Sequence, residues 1–119
     1  MQFFKMSDFE CKCDLGEKCT AVKMDMATII MLDGLRMELG EALTVTSGVR
    51  CEYHNNKIGG DEDSFHLLGK AVDLGAKNGR QKGRIVRAAI KHGFTGIGVP
   101  KGKFVHLDTR PGVLVIFGY

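Results

Sequence analysis

Glycine is the residue that most constrains what this chain can fold into, because it recurs at short intervals and marks where the backbone turns. Sixteen of the 119 residues are glycine, against an average usage of about 7%. Many of them cluster at Ser47-Gly48, Gly59-Gly60, Gly69, Gly75 and between Gly93 and Gly102. This distribution is typical of a small fold with many tight turns and close backbone approaches.

Size and charge limit the class of protein further. A chain of 119 residues predicts a single domain spanning residues 1–119, since chains divide into several domains only at greater length. The longest apolar run, from Ala27 to Leu32, is far shorter than the ~20 residues that a membrane-spanning helix needs. The net charge of +3 comes from basic residues scattered among acidic ones. We therefore expect no nucleic-acid partner, whereas an anionic polymer would suit the mild positive field.

The N-terminal segment lacks the features of an export signal. Its first ten residues contain neither an apolar core segment nor a small-residue cleavage site. They predict that the chain has no secretory signal peptide and is synthesised in the reducing cytoplasm. Residues 1–24 show little periodicity and predict an irregular arm, which carries three of the four cysteines.

The four cysteines, Cys11, Cys13, Cys19 and Cys51, need a separate interpretation. Their spacing, C-x-C-x5-C with a distant fourth member, does not match a standard zinc finger. Free thiols, disulfides formed after export and a structural metal site that holds the arm are all compatible with it. A bond between Cys11 and Cys13 would be strained, whereas Cys51 is placed to tie the arm to the loop around Arg50.

Hydrophobic periodicity predicts two helices. Apolar residues recur at helical spacing from Asp25 to Leu39, and Gly40 follows as the residue that ends the helix. The second helix is predicted from Arg80 to His92, with Asn78 as its N-cap and Gly93 as its C-cap. The apolar faces are expected at Met26, Ile29, Ile30, Leu32, Leu35 and Leu39, and at Ile85, Val86, Ala89 and Ile90.

Short strands are predicted between and after the helices, at residues 43–46, 71–74, 96–99, 103–108 and 113–117. Residues 50–70 predict a long loop, which in a small domain is usually functional or disordered. Because strands and helices do not alternate regularly, we predict an α+β fold in which a small antiparallel sheet packs with two main helices.

Two of the four histidines have ordinary structural interpretations. His92 lies in the last turn of a predicted helix, where the helix dipole favours a cation. His54 lies in a polar segment, where it is interpreted as solvated or as capping a turn. His66 and His106 are left as candidates for chemistry.

His66, Asp73 and His106 together suggest a metal centre. Asp73 stands within the apolar segment 71–74, and a buried carboxylate is costly unless it is paired or coordinates a metal ion. His106 and Asp108 point to one face of their predicted strand, while their neighbours point to the other. Two histidines and one aspartate match a catalytic zinc site, which leaves its fourth position for water. Isolated histidines and aspartates also recur by chance, so spacing alone does not decide.

A set of motifs carries a more specific indication: S-G-x-R at residues 47–50, G-G at 59–60, S-x-H-x-x-G-x-A-x-D at 64–73 and V-H-x-D at 105–108. Together they resemble the M15 zinc metallopeptidases, the family of D-Ala-D-Ala carboxypeptidases and peptidoglycan endopeptidases whose fold the hedgehog signalling domain shares. The resemblance covers about residues 25–119 and fixes many positions at once. It implies the same fold, in the small single-domain form found in phage lysins and cell-wall remodelling enzymes.

The resemblance implies a role for each matching residue. His66, Asp73 and His106 would be the ligands of one catalytic Zn²⁺, and Arg50 would bind the scissile carbonyl or its developing oxyanion. Ser64 would order the loop or the outer shell around His66, or contact the substrate.

Two roles stay open. Arg50 could instead form a salt bridge with an aspartate of the long loop, Asp61 or Asp63. Several branches of the family place an acid or a histidine three residues before the last histidine ligand, where this chain has Lys103, a poor base. Asp108 could be the base that activates water, or it could orient the neighbouring histidine ligand.

The resemblance leads us to expect a zinc-dependent peptidase that hydrolyses an amide bond in peptidoglycan stem peptides or cross-links. The residues do not decide among L-Ala-D-Glu, D-Ala-D-Ala and cross-bridge bonds. We expect a monomer that is made in the cytoplasm and acts on the bacterial cell wall after release, as a phage endolysin does. The alternative is a zinc-containing binding or structural module of the same fold, with weak or no catalysis.

Overall fold

Helices and short strands follow one another irregularly in this chain, of which the computed structural model describes residues 2–118. The N-terminal arm contains two 3-10 helices, Met6–Phe9 and Gly16–Lys18. The helices are α1 (Met26–Leu39), α2 (Glu52–Lys57) and α3 (Gly79–Lys91), and a further 3-10 helix spans Phe65–Leu68. The strands are β1 (Val45–Ser47), β2 (Ala71–Gly75), β3 (Gly96–Gly98), β4 (Phe104–Asp108) and β5 (Val115–Phe117).

The five strands form one sheet in the order β1-β2-β4-β3-β5. Neighbouring strands pair antiparallel, except that β5 runs parallel to β3 at one edge. The predicted α+β fold with a mainly antiparallel sheet is confirmed. Because β2 and β4 each have a hydrogen-bonded neighbour on both sides, their side chains occupy the most firmly fixed part of the sheet.

Helix α1 begins and ends as its sequence predicts, whereas α3 has the predicted N-cap but ends at Lys91, with His92 rather than Gly93 as its C-cap. Asp25 caps α1 by accepting a hydrogen bond from the backbone N–H of Thr28, at 3.1 Å, and Gly40 ends the helix with a φ of 67°. Asn78 caps α3 by accepting from the N–H of Gln81 at 2.9 Å. Among residues 2–118, no helix is both long and apolar enough to cross a membrane.

Two further details of the sequence prediction are wrong. Residues 50–70 are not one loop, because they contain α2 and the 3-10 helix Phe65–Leu68. The helix faces also shift: Met26 and Ile30 of α1 and Ile90 of α3 are exposed. Packing of α1 on α3 selects a narrower buried stripe than the apolar pattern suggested.

The hydrophobic core lies on one face of the sheet, where α3 and α1 cover it. Along β4, apolar residues that enter the core alternate with polar residues that face the other way. Val105 and Leu107 are the two residues of this strand that are buried in the core. Phe4 and Phe9 of the N-terminal arm belong to the same core. The opposite face of the sheet is therefore left for the polar residues of β2 and β4.

Candidate metal centre

The pairing of β2 with β4 places two of the predicted ligands side by side. Asp73 is the direct partner of His106 in the antiparallel ladder, and directly opposed residues point to the same face of a sheet. The Nδ1 atom of His106 lies 3.1 Å from Oδ1 of Asp73. Strand register alone thus brings together two residues that are far apart in sequence.

The third predicted ligand comes from the 3-10 helix that precedes β2. Ser64 caps this helix, because its Oγ accepts a hydrogen bond from the backbone N–H of His66 at 3.2 Å. The ring of His66 then reaches Asp73, with Nε2 3.2 Å from the same Oδ1 atom. The rings of His66 and His106 are 5.1 Å apart and stand at 67° to each other. Three side chains from three segments therefore converge on one point.

The outer hydrogen bonds of the two rings determine which nitrogen carries the hydrogen. Nδ1 of His66 lies 2.7 Å from the carbonyl oxygen of Gly48, and Nε2 of His106 lies 2.7 Å from Oδ2 of Asp108. A carbonyl and a carboxylate can only accept, so these ring nitrogens donate. The other nitrogen of each ring faces Asp73: it presents a lone pair when the ring is neutral and donates a hydrogen bond when the ring is protonated. A cation, either a proton or a metal ion, is therefore needed between each of these nitrogens and the carboxylate oxygen.

The donor set fits a zinc ion. The ligand atoms of His66, Asp73 and His106 all lie within 4.8 Å of one another. Two ligand atoms about 2.0–2.1 Å from a tetrahedral ion would be about 3.3 Å apart, close to the 3.1 and 3.2 Å found here. Two imidazoles and one carboxylate leave a fourth position open, as catalytic zinc sites do.

Burial and charge both shape the electrostatics of this centre. Burial opposes ionisation of Asp73, but its hydrogen bonds with His106 and His66 outweigh burial and hold its pKa well below the usual range. Burial likewise lowers the pKa of His106, yet its contacts with Asp108 and Asp73 raise it overall. The centre therefore favours a positive charge, which a proton supplies when no metal ion is bound.

Asp108 lies behind His106 and is held on both sides. Its side chain is fully buried, and Arg110 binds it through Nε to Oδ1 at 2.8 Å and Nη2 to Oδ2 at 2.6 Å. Burial would raise its pKa, but Arg110 and His106 keep that pKa well below the usual range. A Cβ atom at Gly96 of β3 would collide with this carboxylate, so glycine is required there. Asp108 is thus a fixed anion directed at the ring of His106.

Arg50 connects the metal centre to the segment before α2. Its Nη2 lies 3.3 Å from Oδ2 of Asp73, in an ion pair whose side chains are 12% and 9% exposed. Nη1 donates to Oδ1 of Asn55 at 3.3 Å, and Nε donates to Oγ of Ser47 at 3.2 Å. The salt bridge that the structure records is therefore with a predicted metal ligand.

A cleft of about 680 Å³ opens over these residues, a volume within the usual range of small-ligand sites of about 300–1,000 Å³. Phe65, Phe104 and Phe117 contribute aromatic surface to its walls, and Asp61 and Asp63 of the preceding loop contribute charge. The metal centre and Arg50 line the same cleft. Mixed apolar and charged walls suit a short peptide better than a purely apolar ligand.

The two remaining positions that the sequence singled out have different placements. Ser64 lines the cleft and caps the helix of His66, whereas the ring of His66 is oriented by the carbonyl of Gly48. Lys103 is exposed, and the lining residues described for the cleft do not include it. The position that carries an acid or a histidine in several M15 branches is therefore a surface lysine here.

Sequence reasoning assigned no role to Arg110, Asn55 or the carbonyl of Gly48. Arg110 could have been found, because it lies two residues after Asp108 and so shares its face of an extended chain. Asn55 is 1% exposed and donates to the carbonyl of Asp61 at 2.8 Å, which holds the loop next to Arg50. Every residue has a backbone carbonyl, so the sequence does not indicate which carbonyl binds the ring of His66, and this partner was not predictable.

Comparisons with known proteins agree with this geometry. The family model described as Peptidase M15 matches residues 2–108, which include the metal centre and Asp108. Over 79 residues the chain is 35% identical to the zinc D-Ala-D-Ala carboxypeptidase of Streptomyces albus G. The aligned part is 66% of this chain and 31% of that enzyme, so the chain spans about a third of the length of this curated relative.

Proposed function

The chain belongs to the M15 peptidase family, and from this premise we propose that it is a zinc-dependent peptidase that hydrolyses an amide bond in peptidoglycan. The similarity to an enzyme named as a zinc D-Ala-D-Ala carboxypeptidase supports both the metal and the class of substrate. Stem peptides or their cross-links are the proposed targets.

One observation carries the proposal. One nitrogen of each of two imidazole rings, on His66 and His106, faces the same oxygen of Asp73 at 3.2 and 3.1 Å. All three side chains lie in the cleft and are almost fully buried. An arrangement of this kind is unfavourable without a cation, so it is best explained as the ligand set of a metal ion.

In this proposal His66, Asp73 and His106 hold one catalytic zinc ion. When bound, zinc supplies Lewis acidity that polarises the scissile carbonyl and makes water nucleophilic at neutral pH. The protein holds the three donors in place through outer contacts, with Gly48 fixing the ring of His66 and Asp108 fixing that of His106.

Arg50 is proposed to stabilise the charge that develops on the carbonyl oxygen. Its guanidinium lines the cleft beside Asp73, and contacts with Asn55 and Ser47 hold it there. A cation already fixed where charge appears in the transition state does not need to reorganise during the reaction. Such a group typically contributes about 3–4 kcal/mol to transition-state stabilisation.

Of the two roles predicted for Asp108, we propose the orienting one. Both of its oxygens are engaged, by Arg110 and by the ring of His106, and the side chain is fully buried. A general base needs hydrogen-bond reach to the reacting water, and these contacts direct Asp108 to the ring instead.

The finer aspects of the function are proposals of the same kind. The bond cleaved is D-Ala-D-Ala, as in the name of the relative, or another bond of the stem peptide or cross-bridge. The chain is proposed to act as a monomer on the bacterial wall after synthesis in the cytoplasm, as an endolysin or a wall-remodelling enzyme. Its net charge of +3 would favour approach to an anionic wall polymer.

The test is hydrolysis of purified bacterial cell walls. We expect the protein to release new amino groups, to lose this activity with a chelator and to regain it with added zinc. Mass spectrometry of the fragments then identifies the bond. The matched variants are His66→Asn, which should abolish release, and His92→Asn, which should not, since His92 contacts Glu38 on the outer surface.

A second candidate is a zinc-containing binding module of the same fold. The observation that favours it is Lys103, which occupies the position of the acid in several M15 branches and is exposed. Under this candidate the protein would bind zinc and sediment with cell walls, yet release no amino groups from walls of any peptide chemistry.

A further inference from the structure

A second cluster of metal-binding side chains lies at the N-terminal arm, separate from the residues of the cleft. The sulfur atoms of Cys11, Cys13, Cys19 and Cys51 all lie within 4.8 Å of one another, and all four residues are free thiols. Three belong to the arm, and Cys51 immediately follows Arg50. We propose that these four cysteines bind a second, structural zinc ion as thiolates and thereby clamp the arm to the segment that carries Arg50.

The spacing of the sulfur atoms fits a tetrahedral site. Zinc–sulfur bonds of about 2.3 Å place neighbouring sulfurs about 3.8 Å apart. The Sγ atoms of Cys11 and Cys51 are 3.7 Å apart, far longer than the ~2.05 Å of a disulfide bond. Zinc sites with four cysteine ligands are closed, with no open position for substrate, so the proposed role is structural.

Two of the four sulfur atoms also accept a hydrogen bond from a backbone N–H. The N–H of Cys51 donates to Sγ of Cys11 at 3.3 Å, and the N–H of His54 donates to Sγ of Cys51 at 3.4 Å. Four thiolates around one divalent ion leave a net charge of about −2 by simple addition, and N–H donors of this kind stabilise it. Two of the proposed ligands, Cys11 and Cys51, thus already have an N–H donor of the kind that accompanies thiolate ligands.

The part of the arm that carries the cysteines needs such a site because none of its own residues belongs to the buried core. None of the residues from 10 to 23 is buried, although ordering a residue costs about 1–2 kcal/mol in backbone entropy. Small folds that lack enough core are commonly completed by a metal ion or by disulfides. A disulfide between Cys11 and Cys13 would be strained, whereas one metal ion uses all four thiols at once.

The proposed cysteine site lies next to the segment that carries Arg50. The backbone N–H of Val49 donates to the carbonyl of Phe9 at 2.9 Å, so the arm already pairs with the stretch between Gly48 and Arg50. Fixing Cys51 to the arm holds the far end of this stretch. This inference is independent of the peptidase activity, since it concerns different ligands and a different ion.

The test is the metal content of the whole chain, purified with a reductant and without chelators from zinc-supplemented cells. We expect two zinc ions per chain by mass spectrometry of the metal, and one in the Cys13→Ser/Cys19→Ser variant. The His66→Asn/Asp73→Asn variant should also hold one, which is then the cysteine-bound ion. Lys12→Ser, which changes an exposed residue between two ligands and keeps every thiol, should retain two.

Cobalt substitution of the unaltered chain gives a readout that does not depend on whether the variants fold. Four thiolates should produce a strong sulfur-to-cobalt charge-transfer band, which the histidine and aspartate ligands of the cleft cannot produce. Absence of this band in cobalt-loaded protein would overturn the proposal. So would a wild-type content of one zinc that disappears with His66→Asn/Asp73→Asn, or an intact mass showing that these cysteines are paired in disulfides.

Discussion

At the scale of single residues, Asp73 connects the metal centre to Arg50. One of its oxygens faces both imidazole rings, and the other forms the ion pair with the guanidinium. Any change that moves this carboxylate therefore affects the proposed metal ion and the proposed oxyanion site together. The roles of the neighbouring residues can still be separated, because zinc affinity and turnover are different measurements.

The first prediction concerns Asp108→Asn. The substitution keeps the volume of the side chain but removes the charge that accepts from Nε2 of His106 and from Arg110. We expect zinc affinity at the cleft to fall about 10–100-fold, as for other outer partners of histidine ligands. Competition with a chromophoric chelator measures it.

The matched control for this prediction is Asp63→Asn, an exposed carboxylate on the wall of the same cleft, which should leave zinc affinity unchanged. If Asp108 were instead the catalytic base, Asp108→Asn would keep its zinc affinity and lose only kcat. That result would contradict the orienting role.

The second prediction concerns Arg50→Lys. Lysine keeps the charge, but it cannot make the three separate contacts that the guanidinium makes with Asp73, Asn55 and Ser47. We expect kcat/KM on a stem-peptide substrate to fall about 10²–10³-fold, the usual effect of losing one oxyanion donor. Steady-state kinetics on zinc-loaded protein measures the change.

Lys103→Ala serves as the comparison for Arg50→Lys. It removes an exposed cation that directly precedes β4 and is not among the residues described as lining the cleft. It should change kcat/KM less than twofold by the usual behaviour of surface substitutions. Equal losses in the two variants would mean that overall charge, and not the placement of Arg50, governs the reaction.

At the scale of secondary structure, the elements with a clear pattern could be predicted and those without one could not. Helices α1 and α3 have apolar periodicity and recognisable caps at Asp25 and Asn78, and β4 has alternating polarity. Helix α2 was missed because its sequence, EYHNNK, is polar throughout and buries only Asn55. Strand β5 was predicted, within residues 113–117, but its parallel pairing with β3 was not, since a three-residue strand gives no indication of its direction.

The candidate site was predictable to the extent that polar residues stood in apolar strands. Asp73 and His106 stood out because burial of such groups is costly, and strand pairing then placed them opposite each other. The contacts made by backbone atoms were not predictable. The carbonyl of Gly48, directly after β1, orients the ring of His66, and no side chain in the sequence indicates this contact.

The third prediction concerns Gly48→Ala, at the junction between the arm and the metal centre. An added Cβ would lie 2.5 Å from the carbonyl oxygen of Phe9, so the backbone must shift, and the partner of His66 shifts with it. We expect a loss of about 1–3 kcal/mol in the free energy of unfolding, together with weaker zinc binding. Urea denaturation and chelator competition measure the two effects.

Gly83→Ala is the control for this prediction, because a Cβ there contacts nothing within 4 Å. This residue is exposed in the interior of α3, where alanine is favoured over glycine by about 1 kcal/mol. The control should therefore be more stable than the wild type. A Gly48→Ala protein with unchanged zinc affinity would show that the carbonyl of residue 48 does not orient His66.

At the scale of the whole molecule, the sheet separates two environments. One face carries the core with α1 and α3, and the other carries the metal centre and the cleft. The N-terminal arm contributes to both, since Phe4 and Phe9 enter the core while Val49, next to Arg50, pairs with the arm's backbone. The arm is thus part of the folded unit, although its sequence shows little periodicity.

The last prediction tests whether the arm stabilises the whole molecule. Phe9 is 1% exposed within the core, so Phe9→Ala should reduce the free energy of unfolding by about 3–5 kcal/mol, a large part of the ~5–15 kcal/mol typical of a domain. Phe3→Ala is the matched control, because Phe3 is 38% exposed and packs on Arg36; its loss should stay below about 1 kcal/mol. Urea unfolding followed by circular dichroism measures both midpoints, with unchanged slopes indicating that stability alone has changed. If Phe9→Ala unfolded at the same midpoint as Phe3→Ala, the arm would be an appendage, and the fold would be completed by residues 25–118 without it.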